Sequence, residues 1–162
     1  MLGWTAYAAG QRLQTFSSEK LLWDDAVRLF EQRREPNVTA ERAYNNRGVA
    51  FAREKNYSQA LADYETAIAF NPRFYASYQS RGEVQMELGQ LEDAIASFNK
   101  VLSIRPAYTN ARISIARVLD RMDKKEEALA ELKRACKDGN RWGCYLYEKR
   151  INPSATFVLK VN

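Results

Sequence analysis

Residues 41–74 read ERAYNNRGVAFAREKNYSQALADYETAIAFNPRF, and the rest of the chain reads as copies of this stretch or additions to it. Small residues stand at Gly48, Ala60 and Ala67, aromatics at Tyr44, Phe51, Tyr57 and Tyr64, and Pro72 closes the unit. Two amphipathic helices with this spacing can cross closely, because the small side chains let the backbones approach while the aromatics fill the flanks. Such a pair cannot bury both of its faces alone and must stack on a neighbour. The period shows in the next unit. Tyr78, Gly82, Ala94, Phe98 and Pro106 follow Tyr44, Gly48, Ala60, Tyr64 and Pro72, all at the one interval that separates Tyr44 from Tyr78.

These five matches in register resemble the tetratricopeptide repeat (TPR) family. Its signature is a large residue early in helix A, a small one four later, small–large–small positions on helix B and a closing proline. The resemblance implies an all-α fold, a right-handed superhelical stack of antiparallel helix pairs with seven or more helices and no substantial sheet. The chain then divides into a divergent N-terminal helical unit (1–40), two repeats (41–74 and 75–108), a degenerate repeat (109–142), and a C-terminal capping helix with its tail (143–162).

In repeat one, helix A is expected over about residues 41–54 and helix B over about 58–70, stopping before Pro72 because proline disfavours helix in the residue before it. In repeat two, Gly89 suits the left-handed end of helix A, and helix B is expected over about 92–103. Repeat three keeps Ala116, Leu119, Ala128, Leu132 and Ala135, but Arg112 replaces the early aromatic, Asp123 the turn glycine and Asn140 the proline. A last helix from Trp142 to about Ile151 is expected to cap the stack, with Tyr145, Leu146 and Ile151 on the exposed end and Pro153 ending it.

Upstream, residues 19–35 (EKLLWDDAVRLFEQRRE) are amphipathic. Trp23, Ala26, Val27 and Phe30 precede Tyr57, Ala60, Leu61 and Tyr64 by the same interval, as helix B of an N-terminal unit would. Its helix A is sought within Leu2–Phe16, where the register fails at Gln14 and Ser17. Pro36 and Asn37 break the chain before repeat one. The tail ATFVLKVN alternates apolar residues, and both a short strand and an irregular end remain open for it.

An apolar share of 46% is ordinary for a folded chain of 162 residues and leaves material for a core. No run approaches the ~18 apolar residues of a membrane span. Met1–Gly10 lacks the charged start and long apolar centre of a signal peptide. Histidine is absent, which removes the commonest general base and metal ligand. With two cysteines there is no zinc site of Cys and His, and neither a Gly-rich phosphate loop nor a GxSxG elbow occurs. The expectation is therefore a non-enzyme without cofactor or metal.

The net charge of +5 is concentrated late: residues 109–162 hold twelve Lys/Arg against seven Asp/Glu. Either this is an ordinary solvated surface, or it meets an acidic partner. A nucleic-acid face would run near Arg134, Lys137, Arg141, Lys149 and Arg150, but it lacks the interleaved aromatics of single-strand binders. That basic-solenoid reading is the alternative to a protein-binding one, and nucleic acid is the less favoured partner.

Cys136 and Cys144 flank the strong turn Asp138–Gly139–Asn140. Two helices leaving one short turn can bring their α-carbons within disulfide range. The junction RACKDGNRWGC is similar to that of cysteine-bearing TPR relatives in secreted bacterial proteins, where an Ala-Cys ends one helix and a Gly-Cys opens the next. That resemblance implies a Cys136–Cys144 bridge and a periplasmic or otherwise exported chain. The alternative is two small buried thiols in a reducing cytoplasm.

In TPR stacks the helix A faces line a concave groove that holds extended or helical peptides. Carried over, repeat one offers Arg42, Asn45, Asn46, Val49 and Arg53. Repeat two offers Gln79, Ser80, Glu83 and Met86, and repeat three Asn110, Ile113, Ser114 and Arg117. Asparagine and glutamine both donate and accept, which suits a peptide backbone, and arginine grips carboxylates. The same residues would also serve as the solvated face of any amphipathic helix. One sub-family grips a C-terminal carboxylate with Lys, Asn and Arg, and here those positions hold Asn45, Val49, Ser80, Asn110 and Ser114, so that activity is not implied. The resemblance implies a non-catalytic adaptor for a protein or peptide segment of unspecified identity.

Overall fold

The computed structural model describes residues 19–33 and 39–154. The expected helix within Leu2–Phe16, the break at Pro36–Asn37 and the ATFVLKVN tail lie outside the described residues. Among the described residues there are eight helices and no strand: α1 (Glu19–Arg33), α2 (Ala40–Arg53), α3 (Tyr57–Phe70), α4 (Tyr75–Glu87), α5 (Leu91–Ile104), α6 (Asn110–Arg121), α7 (Lys125–Lys137) and α8 (Arg141–Ile151). The all-α expectation holds, and the expected helix ends fall close to the observed ones.

Two compact units divide between Ser77 and Tyr78, in the first turn of α4. In the first unit α1 packs on α2 and α2 on α3. Val27 of α1, Ala40, Ala43 and Tyr44 of α2 and Ala67 of α3 form a buried cluster, with Ala26 and Phe30 against it. Phe30, Tyr44 and Phe70 form an aromatic triangle, in which Phe30 meets the other two edge-on and Tyr44 stacks on Phe70 with centroids 5.7 Å apart. The N-terminal helix thus buries residues that the repeat register selects. In the second unit α5, α6, α7 and α8 each pack on the next. Phe98, Val101, Val118, Ala128 and Ala135 are fully buried there.

The close crossing rests on contacts that leave no room for a side chain. A Cβ on Gly48 would lie 2.6 Å from the Tyr64 ring and 3.2 Å from the Ala60 carbonyl oxygen. A Cβ on Gly82 would lie 2.7 Å from the Phe98 ring. In repeat three the pair changes together: Ala116 stands at the glycine position and Leu132 at the ring position, both buried. A methyl on one helix goes with a narrower side chain on the other, as close packing requires.

The turns between helices A and B share one backbone feature. Lys55, Gly89 and Asp123 occupy the same place in successive repeats, and all adopt positive φ, of 63°, 78° and 58°. This left-handed residue lets the chain reverse after helix A, and only repeat two fills it with glycine.

Gly48→Ala is expected to destabilise the protein by about 1–3 kcal/mol through overpacking against Tyr64. Tyr64→Leu in the same chain should recover part of that loss, reproducing the Ala116 and Leu132 pairing. Denaturant unfolding of the two single variants and the double variant measures the coupling, and additive losses would show that the ring does not limit the approach.

Candidate peptide-binding face

In the first unit the polar stripe of α2 is not uniform. Arg42 and Arg53 are exposed, and Asn46 and Val49 are half-buried. Asn45 is buried, with 7% of its surface exposed. Its side-chain oxygen accepts from the Ser77 hydroxyl at 3.0 Å, and its amide donates to Asn46 Oδ1 at 3.2 Å. Asn45 therefore serves the packing of α2 on the start of α4 and does not offer the free amide expected for a ligand.

The strongest polar contact in this unit was not selected by sequence reasoning. Arg47 donates to both carboxylate oxygens of Asp63 on α3, at 2.8 and 2.7 Å, and Asp63 is buried. The Arg47 guanidinium also lies 3.7 Å from Asp24 and over the rings of Tyr44 and Phe51, at 5.4 and 5.9 Å. The hydrogen bonds to Asp63 hold its proton more tightly than usual, outweighing the opposing effect of burial. The available signal was the echo in the next repeat: Arg81 donates to Ser97 at 3.1 Å in the equivalent places, and the Ser97 hydroxyl donates to Gln85 Oε1 at 2.7 Å.

In the second unit Gln79 of α4 donates to Glu83 at 2.8 Å and to Ser114 of α6 at 3.3 Å. Ser80 is half-buried, Glu83, Asn110 and Arg117 are exposed, and Asn110 accepts from Asn140 at 3.0 Å. Met86, Ile113 and Ser114 are buried, at 3%, 8% and 6%. Met86 presents its backbone: its carbonyl accepts from Arg121. The expected surface roles of Met86 and Ser114 thus give way to packing between α4 and α6, and Ile113 forms part of the floor of a hollow.

That hollow, of about 110 Å³, lies among α6, α7 and α8. Ile113, Ala116, Leu132 and Leu146 supply apolar lining, and Arg117, Asp120 and Arg150 supply charge. Arg150 donates to both oxygens of Asp120, at 2.8 and 2.7 Å. The same ion pair borders a wider depression of about 430 Å³ with Lys125, Glu126 and Leu129.

Helix α8 is held in three ways. Cys136 and Cys144 are bonded, with sulfurs 2.02 Å and α-carbons 4.3 Å apart. Asn140, which stands where earlier repeats have proline, caps α8 by accepting from the Gly143 amide at 2.8 Å. Its own amide donates to Thr109 at 2.8 Å as well as to Asn110. The Asp120–Arg150 pair is the third tie. Gly143 allows the approach, since a Cβ there would lie 2.8 Å from that of Ala135.

Of the basic residues in the alternative polyanion face, Arg134 is paired with Glu131, Arg150 with Asp120, and Lys149 donates to the Pro153 carbonyl. Among the described residues no group of three His, Cys, Asp or Glu could hold a metal ion, and no helix is long and apolar enough to cross a membrane.

Family models described as tetratricopeptide repeat match residues 41–74 and 85–140, together more than half of the 162-residue chain. The chain belongs to the tetratricopeptide repeat family. It is 31% identical over 98 residues to the small glutamine-rich tetratricopeptide repeat-containing protein 2 of Saccharomyces cerevisiae, a match that covers 60% of this chain and 28% of that protein. This TPR chain therefore spans less than a third of the length of that curated relative. Among solved structures, a crystal structure of MamA aligns with a TM-score of 0.63 at 25% identity over 76% of this chain and 72% of that one. The first TPR of Spaghetti (RPAP3), solved bound to an HSP90 peptide, aligns with a TM-score of 0.63 at 16% identity over 74% and 97%, a likeness of fold.

Beside this TPR face, Tyr44 donates its phenol to Glu31 at 2.8 Å. Burial first, then this hydrogen bond, push its pKa from 10.0 up to about 12. The folded state thus favours the protonated phenol. The stability this contributes is fully present below pH about 10 and is lost as pH rises through about 12. The difference in melting temperature between the natural chain and Tyr44→Phe should accordingly be flat below pH about 10 and shrink above it. A difference that grows with pH would contradict the assignment.

Proposed function

We propose that this chain is a non-catalytic adaptor that binds a peptide or protein segment through the helix A faces of its repeats. The observation that carries this reading is how the charged groups are used. At the C-terminal basic face Arg134, Lys149 and Arg150 are already engaged within the chain. On the helix A faces, Arg42 and Arg117 are exposed and make no ion pair among the described residues. A guanidinium left open in this way suits a carboxylate on a bound segment. Family membership supports the same reading, since a related repeat structure holds a peptide. The arrangement favours a ligand other than a chain-terminal carboxylate in the usual clamp, because Asn45 and Ser114 are buried and hydrogen-bonded within the chain.

Capture of partners from the native source, read by mass spectrometry, supplies the ligand for the test. Asn46→Ala with Arg53→Ala should then weaken binding by about 1–3 kcal/mol, the worth of lost hydrogen bonds to charged or backbone groups. Unchanged affinity there, with binding abolished by charge reversal at Lys137 and Arg141, would move the interaction to the basic face.

The bonded cysteines support a second part of the proposal, that the chain works in an oxidising, exported setting. Chain recovered from its native compartment under thiol-blocking conditions should be two mass units (about 2 Da) lighter than the dithiol and take up no blocking reagent. Two blocked thiols would place it in a reducing compartment.

A further inference from the structure

We propose that the hollow among α6, α7 and α8 is a side-chain pocket: it takes one aliphatic side chain of a bound protein segment while Arg117 holds a carboxylate of the same segment. The proposal rests on the adaptor reading and specifies the chemistry of its ligand.

Size sets the first limit. The hollow measures about 110 Å³, below the ~150 Å³ of an apolar cavity that holds benzene and far below the ~300–1,000 Å³ of sites for free small molecules. A branched aliphatic side chain fits, and an indole does not. The lining sets the second limit. Ile113, Ala116, Leu132 and Leu146 are all aliphatic or methyl-bearing, so the floor offers no ring for a nucleobase to stack on.

Charge sets the third limit. Asp120 and Arg150 occupy each other through both carboxylate oxygens. Arg117 lies at the edge of the hollow, exposed and without an ion pair among the described residues. The open charge at the rim is therefore positive, and its complement is a carboxylate beside the apolar side chain. Both features come from one helix: Ile113 and Arg117 stand one helical turn apart on α6 and share a face.

The pocket is also preformed. Its α8 wall is fixed by the Cys136–Cys144 bond, by the Asn140 cap with its bonds to Thr109 and Asn110, and by the Asp120–Arg150 pair. A segment docking there orders its own side chain without also having to order the wall, which lowers the entropic cost of binding.

The test uses the whole oxidised chain with methyl-labelled isoleucine and leucine, titrated in separate NMR experiments with three capped dipeptides: N-acetyl-leucyl-aspartate amide, its asparagine counterpart, and N-acetyl-glycyl-aspartate amide. The leucyl-aspartate probe should shift the methyls of Ile113, Leu132 and Leu146 saturably, and the glycyl probe should not. The asparagine probe should bind about two- to fivefold more weakly, the range for one exposed ion pair. Arg117→Gln, at an exposed position, should leave the free spectrum folded and remove the preference for aspartate over asparagine. No saturable shift at these methyls, an equal response to the glycyl probe, or a preference for aspartate that survives Arg117→Gln would each overturn the proposal. A native partner that still depends on Asn46 and Arg53 while the probes fail would sink the pocket and leave the adaptor reading standing.

Discussion

The structure depends on how closely two helices can approach, and that distance is set where a ring meets a glycine. The Tyr64 ring occupies the space a Cβ on Gly48 would need, and the Phe98 ring does the same at Gly82. Burying such rings contributes about 1.5–3 kcal/mol each, and the missing side chain opposite makes that burial compatible with a tight crossing. Once the backbones are this close, other contacts come within reach. Arg47 can span from α2 to both oxygens of Asp63 on α3, and Arg81 can reach Ser97. Removing one partner of the Arg47–Asp63 pair would leave a charge in a largely dry place, which is strongly destabilising.

Repeat three solves the same problem with smaller parts. Ala116 and Leu132 replace glycine and ring. Arg112 departs from the early aromatic of the other repeats and instead links helices, donating to Asp138 at 3.0 Å with Glu131 at 3.4 Å. Asn140 departs from the closing proline and becomes the cap of α8. Two of the residues that make repeat three look worn as sequence thus tie helices together, Arg112 within the pair and Asn140 at the last helix.

Much of the fold was legible because period and residue size are one-dimensional properties. A regular echo of small and large residues locates both helices of a pair, and the observed α2 to α8 follow it closely. The candidate site was less legible because a helical stripe identifies a face without saying what stands opposite. Asn45 reads as groove-facing until Ser77, on a different helix, is seen to donate to it. Met86 and Ile113 lie on the stripe, yet both are buried. Arg47 and Asp63 sit on opposite helices of a pair, and no rule of spacing within one helix joins them. The two cysteines could be placed at one turn from sequence, but the close approach of Gly143 to Ala135 beside them could not.

The positive-φ turns carry a consequence for where the molecule opens. Lys55 holds a conformation that costs an ordinary residue about 1–2 kcal/mol, Asp123 holds it at a lower cost because a short polar side chain can bond locally, and Gly89 holds it freely. The backbone shape is the same in all three, so in the outer two it is imposed by the helices they join. Loosen those helices and the turn relaxes at once, because it has a more comfortable shape available. The hairpins around Lys55 and Asp123 are thus the places where local opening and amide exchange should begin, while the turn at Gly89 has no such strain to release. Repeats alike in outline are unequal in endurance, and the residue at a single turn position separates them.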